Sequence, residues 1–246
     1  MIDTLPILFQ DEHIVVINKP EGLLVHRTHL DKQEEEAVVQ RLRDQIGQWV
    51  FPVHRLDRAT SGVLVLALSP AVARDFGTQF ENHEIEKTYH ALVRGHLASR
   101  GNINYPLAKI NEVKGSARAK VAGTEKAAET HYKTLTHFTL PMAVSRYDEA
   151  RCSLVEITPR QGRKHQIRRH FKHIFHPLIG DTRYGCRHYN ALFKLDLLPK
   201  RMFLHALNIR FFHPITHQIM DIKAPYPDSF TGTITWLNTH GLAEAV

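Results

Sequence analysis

The sequence predicts an α+β fold with a mostly antiparallel sheet. Three observations carry that reading. Stretches such as "TYHALVRG", "THYKTLTHF" and "CSLVEIT" alternate at period two, as strands do. Helical patterns are interspersed among the strands, and few βαβ units result. The 43% hydrophobic content of the 246 residues is enough for a real core, which excludes a disordered chain. No internal repeat and no convincing linker interrupts the pattern, so a single domain over residues 1–246 is expected.

Each element follows in order. "ILFQDEHIVVINKP" reads as two short strands around the polar turn Gln10 to Glu12. "KPEGLLVHR" turns at Pro20 and Gly22. In "EEEAVVQRLRDQIGQ", Val38, Leu42 and Ile46 share a helical face, acids lead, arginines follow and Gly47 suits the end. "GVLVLALS" is an apolar run of strand length, expected to be buried on both faces. Ser69 and Pro70 suit a cap and first turn, opening a helix with Phe76 and Phe80 inward. "KINEVKGSARAKVAGTEKAA" is rich in Lys, Ala and Gly; it reads as a surface excursion, a flexible loop or a basic RNA contact. "RMFLHALNIRFFHPITHQIMDIKAP" resembles a hairpin turning at Pro214 to His217, and "PDSFTGTITWLN" a closing helix capped by Asp228.

Charge narrows the function. A net charge of +7 and a pI near 9.5 favour a polyanionic partner, nucleic acid first. Cys152 and Cys186 form no CxxC pair and read as reduced intracellular thiols. The first residues carry Asp3, Asp11 and Glu12 and lack the basic start and apolar centre of a signal peptide. No stretch approaches the ~20 apolar residues of a membrane helix. A soluble, cytoplasmic protein with no membrane contact and no obligate protein partner is expected. GxSxG, a Cys–His signature, GxxxxGK[ST] and GxGxxG are all absent.

Three stretches could carry chemistry. In "HRLDRATSG", Asp57 lies between Arg55 and Arg58, which favour the ionised carboxylate. An ionised carboxylate can act as nucleophile or base, but on composition alone a salt-bridged structural loop is the commoner explanation, since structural ion pairs also perturb a carboxyl. In "EKTYHALVRG", Tyr89 begins an alternating strand; its ring serves a core or stacks on an exposed base. "RQGRKHQIRRHFKHIFHPLIGD" has helical spacing after Gly162, with Ile167, Phe171 and Ile174 on one face. Its other residues include Arg163, Lys164, Arg168 and Arg169, which form a solvated cationic face or a phosphate contact. His170, His173 and His176 are spaced around the helix with no HExxH or Cys partner, so no metal site is expected.

Together these stretches resemble the RluA family of pseudouridine synthases. "HRLDRATSG" matches that family's HRLDxxTSG at every fixed position. "DEHIVVINKPEGLLVH", "EKTYHALVRG", "GRKHQIRRHFKHIFHPLIGD", "MFLHALNIRFFHP" and "KAPYP" resemble its other motifs, in order, from about Ile7 to Pro227. The similarity enters the catalytic motifs almost at once, so the S4-like module of many relatives is not expected. The resemblance implies a central mixed, mostly antiparallel sheet with flanking helices and a basic cleft. It implies isomerisation of uridine to pseudouridine in RNA with no metal or organic cofactor. By the same resemblance, Asp57 is the catalytic aspartate, and Arg55 helps displace the target nucleotide. Tyr89 stacks on the base, Arg168 pairs with the carboxylate and Leu204 lines the pocket.

The chemistry suits those roles. The N-glycosidic bond must break, and the uracil must turn and bond to C1′ through C5. A fixed carboxylate can stabilise charge on the sugar, attack it, or take a proton from C2′. The base must leave its stack, at about a few kcal/mol. "VHRTHLDKQEEEAVVQRLRDQIGQWVFPVHRLDR" and "LPMAVSRYDEARCSLVEITPRQGRKHQIRRH" are most similar to members that modify uridine 65 in the T stem of tRNA. Ribosomal RNA or a dual substrate is the alternative target. A non-catalytic RNA-binding module or chaperone is the alternative class, which the intact Asp57, Tyr89 and Arg168 oppose.

Overall fold

The computed structural model of the protein describes residues 4–26, 37–111, 120–193 and 199–246. Along the chain come β1 (Ile7–Gln10), β2 (Ile14–Lys19), α1 (Val38–Ile46), β3 (Phe51–Pro52), β4 (Ser61–Ala67), α2 (Pro70–Glu81) and β5 (Glu86–Arg94). There follow β6 (Arg100–Asn104), β7 (Leu107–Asn111), β8 (Lys120–Lys126), β9 (Glu129–Leu140), β10 (Ala150–Pro159), α3 (Gln166–His173) and α4 (Arg187–Leu192). The last are β11 (Leu204–Phe212), β12 (Ile219–Lys223), α5 (Asp228–His240) and β13 (Leu242–Ala245). This is the α+β arrangement the alternating stretches predict. The chain forms two compact units, Met1–His90 with Leu204–Gly232, and Ala91–Phe203 with Thr233–Val246.

In the first unit β1–β2, β2–β4, β3–β4 and β11–β12 pair antiparallel, whereas β11 runs parallel to β4. All seven residues of β4 are buried, as its unbroken apolar run requires. The hydroxyl of Ser69 accepts the Val72 N–H at 3.3 Å and Pro70 opens α2, whose Phe76 packs on Phe211 with ring centroids 5.2 Å apart. α1 buries Val38 and Leu42 and ends at Gly47; the acids before it, 34–36, lie outside the described residues. Asp228 sits inside the first turn of α5 instead of capping it. The cap place belongs to Pro227, whose carbonyl accepts the N–H groups of Phe230 (2.8 Å) and Thr231 (3.1 Å).

In the second unit β9 pairs antiparallel with β10, β6 and β13. The excursion expected at 109–128 is in part a hairpin, β7 pairing with β8; residues 112–119 lie outside the described residues. Its Lys, Ala and Gly content masked a strand pattern that pairing partners, not composition, complete. α4 and β13 were not expected. α4 buries one residue, Tyr189, and β13 none, so neither has an amphipathic signal.

Candidate active site

In the first unit a short loop joins β3 to β4 and carries Asp57 half-buried. Leu56 sinks into the core beside it, 5% exposed, and the Thr60 N–H closes a turn on the Asp57 carbonyl at 3.0 Å. Arg58 turns away to staple the loop to the 20–22 turn. Its Nε donates to the Gly22 carbonyl and its own carbonyl accepts the Gly22 N–H, both at 2.8 Å. The fully buried Lys19 ties the same place, its Nζ donating to the carbonyls of Pro20, Leu23 and Arg58 at 2.7, 2.8 and 3.3 Å. Arg55, by contrast, is exposed.

The far end of the loop is fixed by β11. Ser61 and Gly62 pair with His205 and Ala206. Gly62 has φ +116°, and any side chain there would strike the Ala206 backbone. Ser61 Oγ lies 2.9 Å from His205 Nδ1, and His205 Nε2 lies 3.1 Å from the Ala224 carbonyl. A carbonyl only accepts, so Nε2 carries the proton and Nδ1 accepts from Ser61. Leu204, 4% exposed, begins this strand. His54 accepts the Val65 N–H through Nε2 at 3.1 Å, extending the edge of β4 past Pro52. Burial, with the Lys87 charge adding, pushes this imidazole down to about 3, so it stays a neutral acceptor.

Tyr89 stands on β5 with its ring packed half-buried against the same core. Its phenol is pushed well above the usual value, first by burial and then by the negative charge of Asp57. The structure therefore brings Asp57 and Tyr89 into one electrostatic neighbourhood. The phenol stays protonated at neutral pH and offers a ring face and a hydrogen-bond donor, not a base.

In the second unit α3 begins after His165, which takes a left-handed conformation (φ 56°) with Nδ1 3.0 Å from the Tyr184 hydroxyl. Gln166 ties the approach down, accepting the Arg163 N–H at 3.0 Å and donating to the Glu129 carbonyl at 3.0 Å. The expected solvated cationic face is partly interior: Arg168 and His170 are buried. Arg168 donates Nε and Nη2 to the two oxygens of Asp181 at 2.7 and 2.9 Å and lies over the Tyr184 ring at 5.1 Å. Burial alone would raise the Asp181 carboxyl. The Arg168 bonds and charge, with the N–H groups of Tyr184 and Arg183, outweigh it and hold the group below the usual range. Arg163 and Lys164 are exposed and Arg169 half-buried. Arg169 Nη1 donates to the Ala108 carbonyl at 3.0 Å and Arg163 Nε to that of Ala127 at 3.3 Å. His170 bridges Thr130 and the Tyr105 carbonyl, His173 stacks on Tyr105, and His176 bonds to the Arg94 carbonyl.

A family model described as RNA pseudouridylate synthase matches residues 13–173, a span that holds Asp57, Tyr89 and Arg168. The chain belongs to that family. Relatives named tRNA pseudouridine synthase C are similar to this family member along most of its length. That of Vibrio cholerae is 46% identical over 231 residues, 94% of this chain and 95% of the relative. That of Pasteurella multocida is 48% identical over 225 residues, 90% and 91% of the two chains. The Pectobacterium carotovorum relative is 45% identical over 241 residues; it aligns with 97% of this chain, which spans 63% of that relative's length. A solved structure titled Human RNA Pseudouridylate Synthase Domain Containing 1 superposes with TM-score 0.75 at 25% identity, covering 100% of this chain and 91% of that one. The family and fold expected from the motifs are borne out, and the enzyme class with them.

Asp181, Lys87 and His205 lie outside the roles expected from the motifs. Asp181 had a signal: it is the one acid in residues 160–181, so a buried arginine there had one local partner. Among the described residues no helix is long and apolar enough to cross a membrane.

Proposed function

We propose that this chain is a cytoplasmic tRNA pseudouridine synthase that isomerises uridine 65 in the T stem. The observation that carries the site is the placement of Asp57 beside Tyr89, on a loop anchored from both ends. In this reading the uridine leaves its stack, its base lies against the Tyr89 ring, and Leu204 helps line the apolar pocket. Arg55, exposed on the same loop, fills the vacated place in the helix. The Asp57 carboxylate faces C1′ as the N1–C1′ bond breaks, by attacking the sugar, stabilising its charge or taking the C2′ proton. The retained uracil turns, C5 bonds to C1′, C5 loses its proton and N1 gains one. By the family resemblance Arg168, whose Nε and Nη2 are held by Asp181, serves as the arginine that pairs with the catalytic carboxylate.

The tRNA target is supported by the name the similar proteins share. A T-stem uridine lies in an A-form helix whose major groove is too narrow to read, so recognition relies on backbone shape, 2′-hydroxyls and local opening. The test is site-resolved pseudouridine mapping of tRNA and ribosomal RNA in a deletion strain, with complementation by wild type and by Asp57→Asn. Loss at tRNA position 65, restored by wild type alone, is expected. An unchanged position 65 with a lost ribosomal site would move the substrate to ribosomal RNA.

A further inference from the structure

Lys87 stands two residues before Tyr89 on β5, so the two side chains share a strand face. Both act electrostatically on the same loop: the Asp57 charge is felt at Tyr89, and the Lys87 charge is felt at His54. The Lys87 ammonium is half-buried and lies 5.4 Å from the centre of the Phe80 ring. Among the described residues it has no hydrogen-bond acceptor and no carboxylate partner. Burial pushes its pKa down, so the protein holds this cation at a cost. Elsewhere in the same unit a buried lysine is treated differently: Lys19 receives three carbonyl oxygens. An aromatic face offsets part of the desolvation of a cation but leaves its hydrogen-bond donors unmet. A leucine or methionine would fill the same space without that cost. A cation on the strand face of Tyr89, with no anion partner among the described residues, is matched to an anion brought by the substrate.

We propose that Lys87 is an anion subsite, its ammonium binding a phosphodiester oxygen of the RNA strand that carries the flipped nucleotide. The inference rests on the reading of Asp57 and Tyr89 as the uridine site and adds a backbone contact to it. Its function is positional: a phosphate held at Lys87 limits how far the strand can slide once the base lies against Tyr89.

The test uses the full-length protein and unmodified tRNA. Filter binding over a salt series should show Lys87→Met weakened about 5- to 10-fold, with the salt slope reduced by about one phosphate contact, ~0.7–0.9. Lys87→Arg, which keeps the charge, should stay near wild type in both. Wild-type slope and affinity in a Lys87→Met protein that melts normally would overturn the proposal. A second measurement needs no variant. Acetylation of Lys87 in the wild-type protein, read by mass spectrometry, should be suppressed by tRNA; unchanged labelling at saturating tRNA would overturn the subsite. Wild-type pseudouridine formation, assayed in parallel, separates the two failures. If tRNA is modified while Lys87 stays unprotected, only the subsite falls; if tRNA is neither bound nor modified, both readings fall.

Discussion

In the first unit the loop that carries Asp57 is fixed through the main chain. Thr60 closes its turn, Gly22 and Lys19 bond to the Arg58 carbonyl, and Gly62 abuts Ala206. In the second unit Arg168 is gripped through side chains, by two bonds from Asp181 and by the Tyr184 ring. The difference sets how each region responds to substitution. Main-chain anchors survive a replacement at Asp57, so a loss there reports on chemistry. Taking one partner from a buried ion pair strands the other charge, so a loss at Asp181 reports on folding too.

The largest effect should come from the first region. If Asp57 is the catalytic carboxylate we propose, Asp57→Asn is expected to lower turnover by at least ~10³-fold, since it would remove charge at the reacting sugar. RNA affinity, which comes mainly from phosphates, should hold. Stability should fall less than in an Asp181 variant, because the loop is anchored through its main chain. Tritium release from C5-labelled uridine, filter binding and a thermal melt measure the three. An asparagine variant that forms product normally, or that melts as early as an Asp181 variant, would erase the contrast.

Asp181→Asn should act on stability first, at roughly 3–5 kcal/mol, because Arg168 would keep its buried charge with half its partners gone. The same substitution made in an Arg168→Met background should cost less, because no charge is left to strand. The pair also fixes a pH window. The folded Asp181 carboxyl lies below its unfolded value of about 3.9, so its contribution is complete above that pH. The contribution disappears as pH falls through the folded value. Wild type should therefore lose stability more steeply than Asp181→Asn in acid below about pH 4, measured by urea melts. Parallel curves would show that the ion pair is not felt.

Much of this contrast was legible in the residues. β4 could be read because seven consecutive buried positions leave an unbroken apolar run. The α2 cap could be read because Ser69 and Pro70 act within one turn. Asp57, Tyr89 and Arg168 stood out because their motifs are long and ordered. What could not be read depends on partners distant in sequence. The parallel pairing of β11 with β4 joins residues some 140 positions apart, such as Ser61 and His205. On composition Arg168 read as a solvated cation or a phosphate contact, since a helix rich in Arg and His gives no hint that three of its polar residues, Gln166, Arg168 and His170, are interior. β13 has no buried residue and exists through its pairing with β9.

Tyr89 refines the first region. If its ring stacks on the base, Tyr89→Phe should keep most of the affinity that Tyr89→Ala loses, about 1–3 kcal/mol by titration of target RNA. Equal binding by the two would assign the effect to the hydroxyl, which the raised phenol pKa keeps protonated.

The smallest effects belong to the cations before and along α3, and they divide by what each already holds. Lys164 is exposed, and its replacement by Ala removes one positive charge from that surface. Its salt slope should fall by about one contact, and affinity by a few-fold near ~0.1 M salt. Arg169 and Arg163 donate to the Ala108 and Ala127 carbonyls, at the two ends of the β7–β8 hairpin, so each substitution also loosens the hairpin base. Arg169→Lys separates the two roles, because lysine keeps the charge but not the planar fork. It should leave the salt slope near wild type while hydrogen exchange quickens over residues 107–111. If Arg169→Lys instead flattens the slope as Lys164→Ala does, with the hairpin amides still protected, Arg169 acts on phosphate through its guanidinium geometry. The side-chain grip of the second unit then extends to the RNA itself.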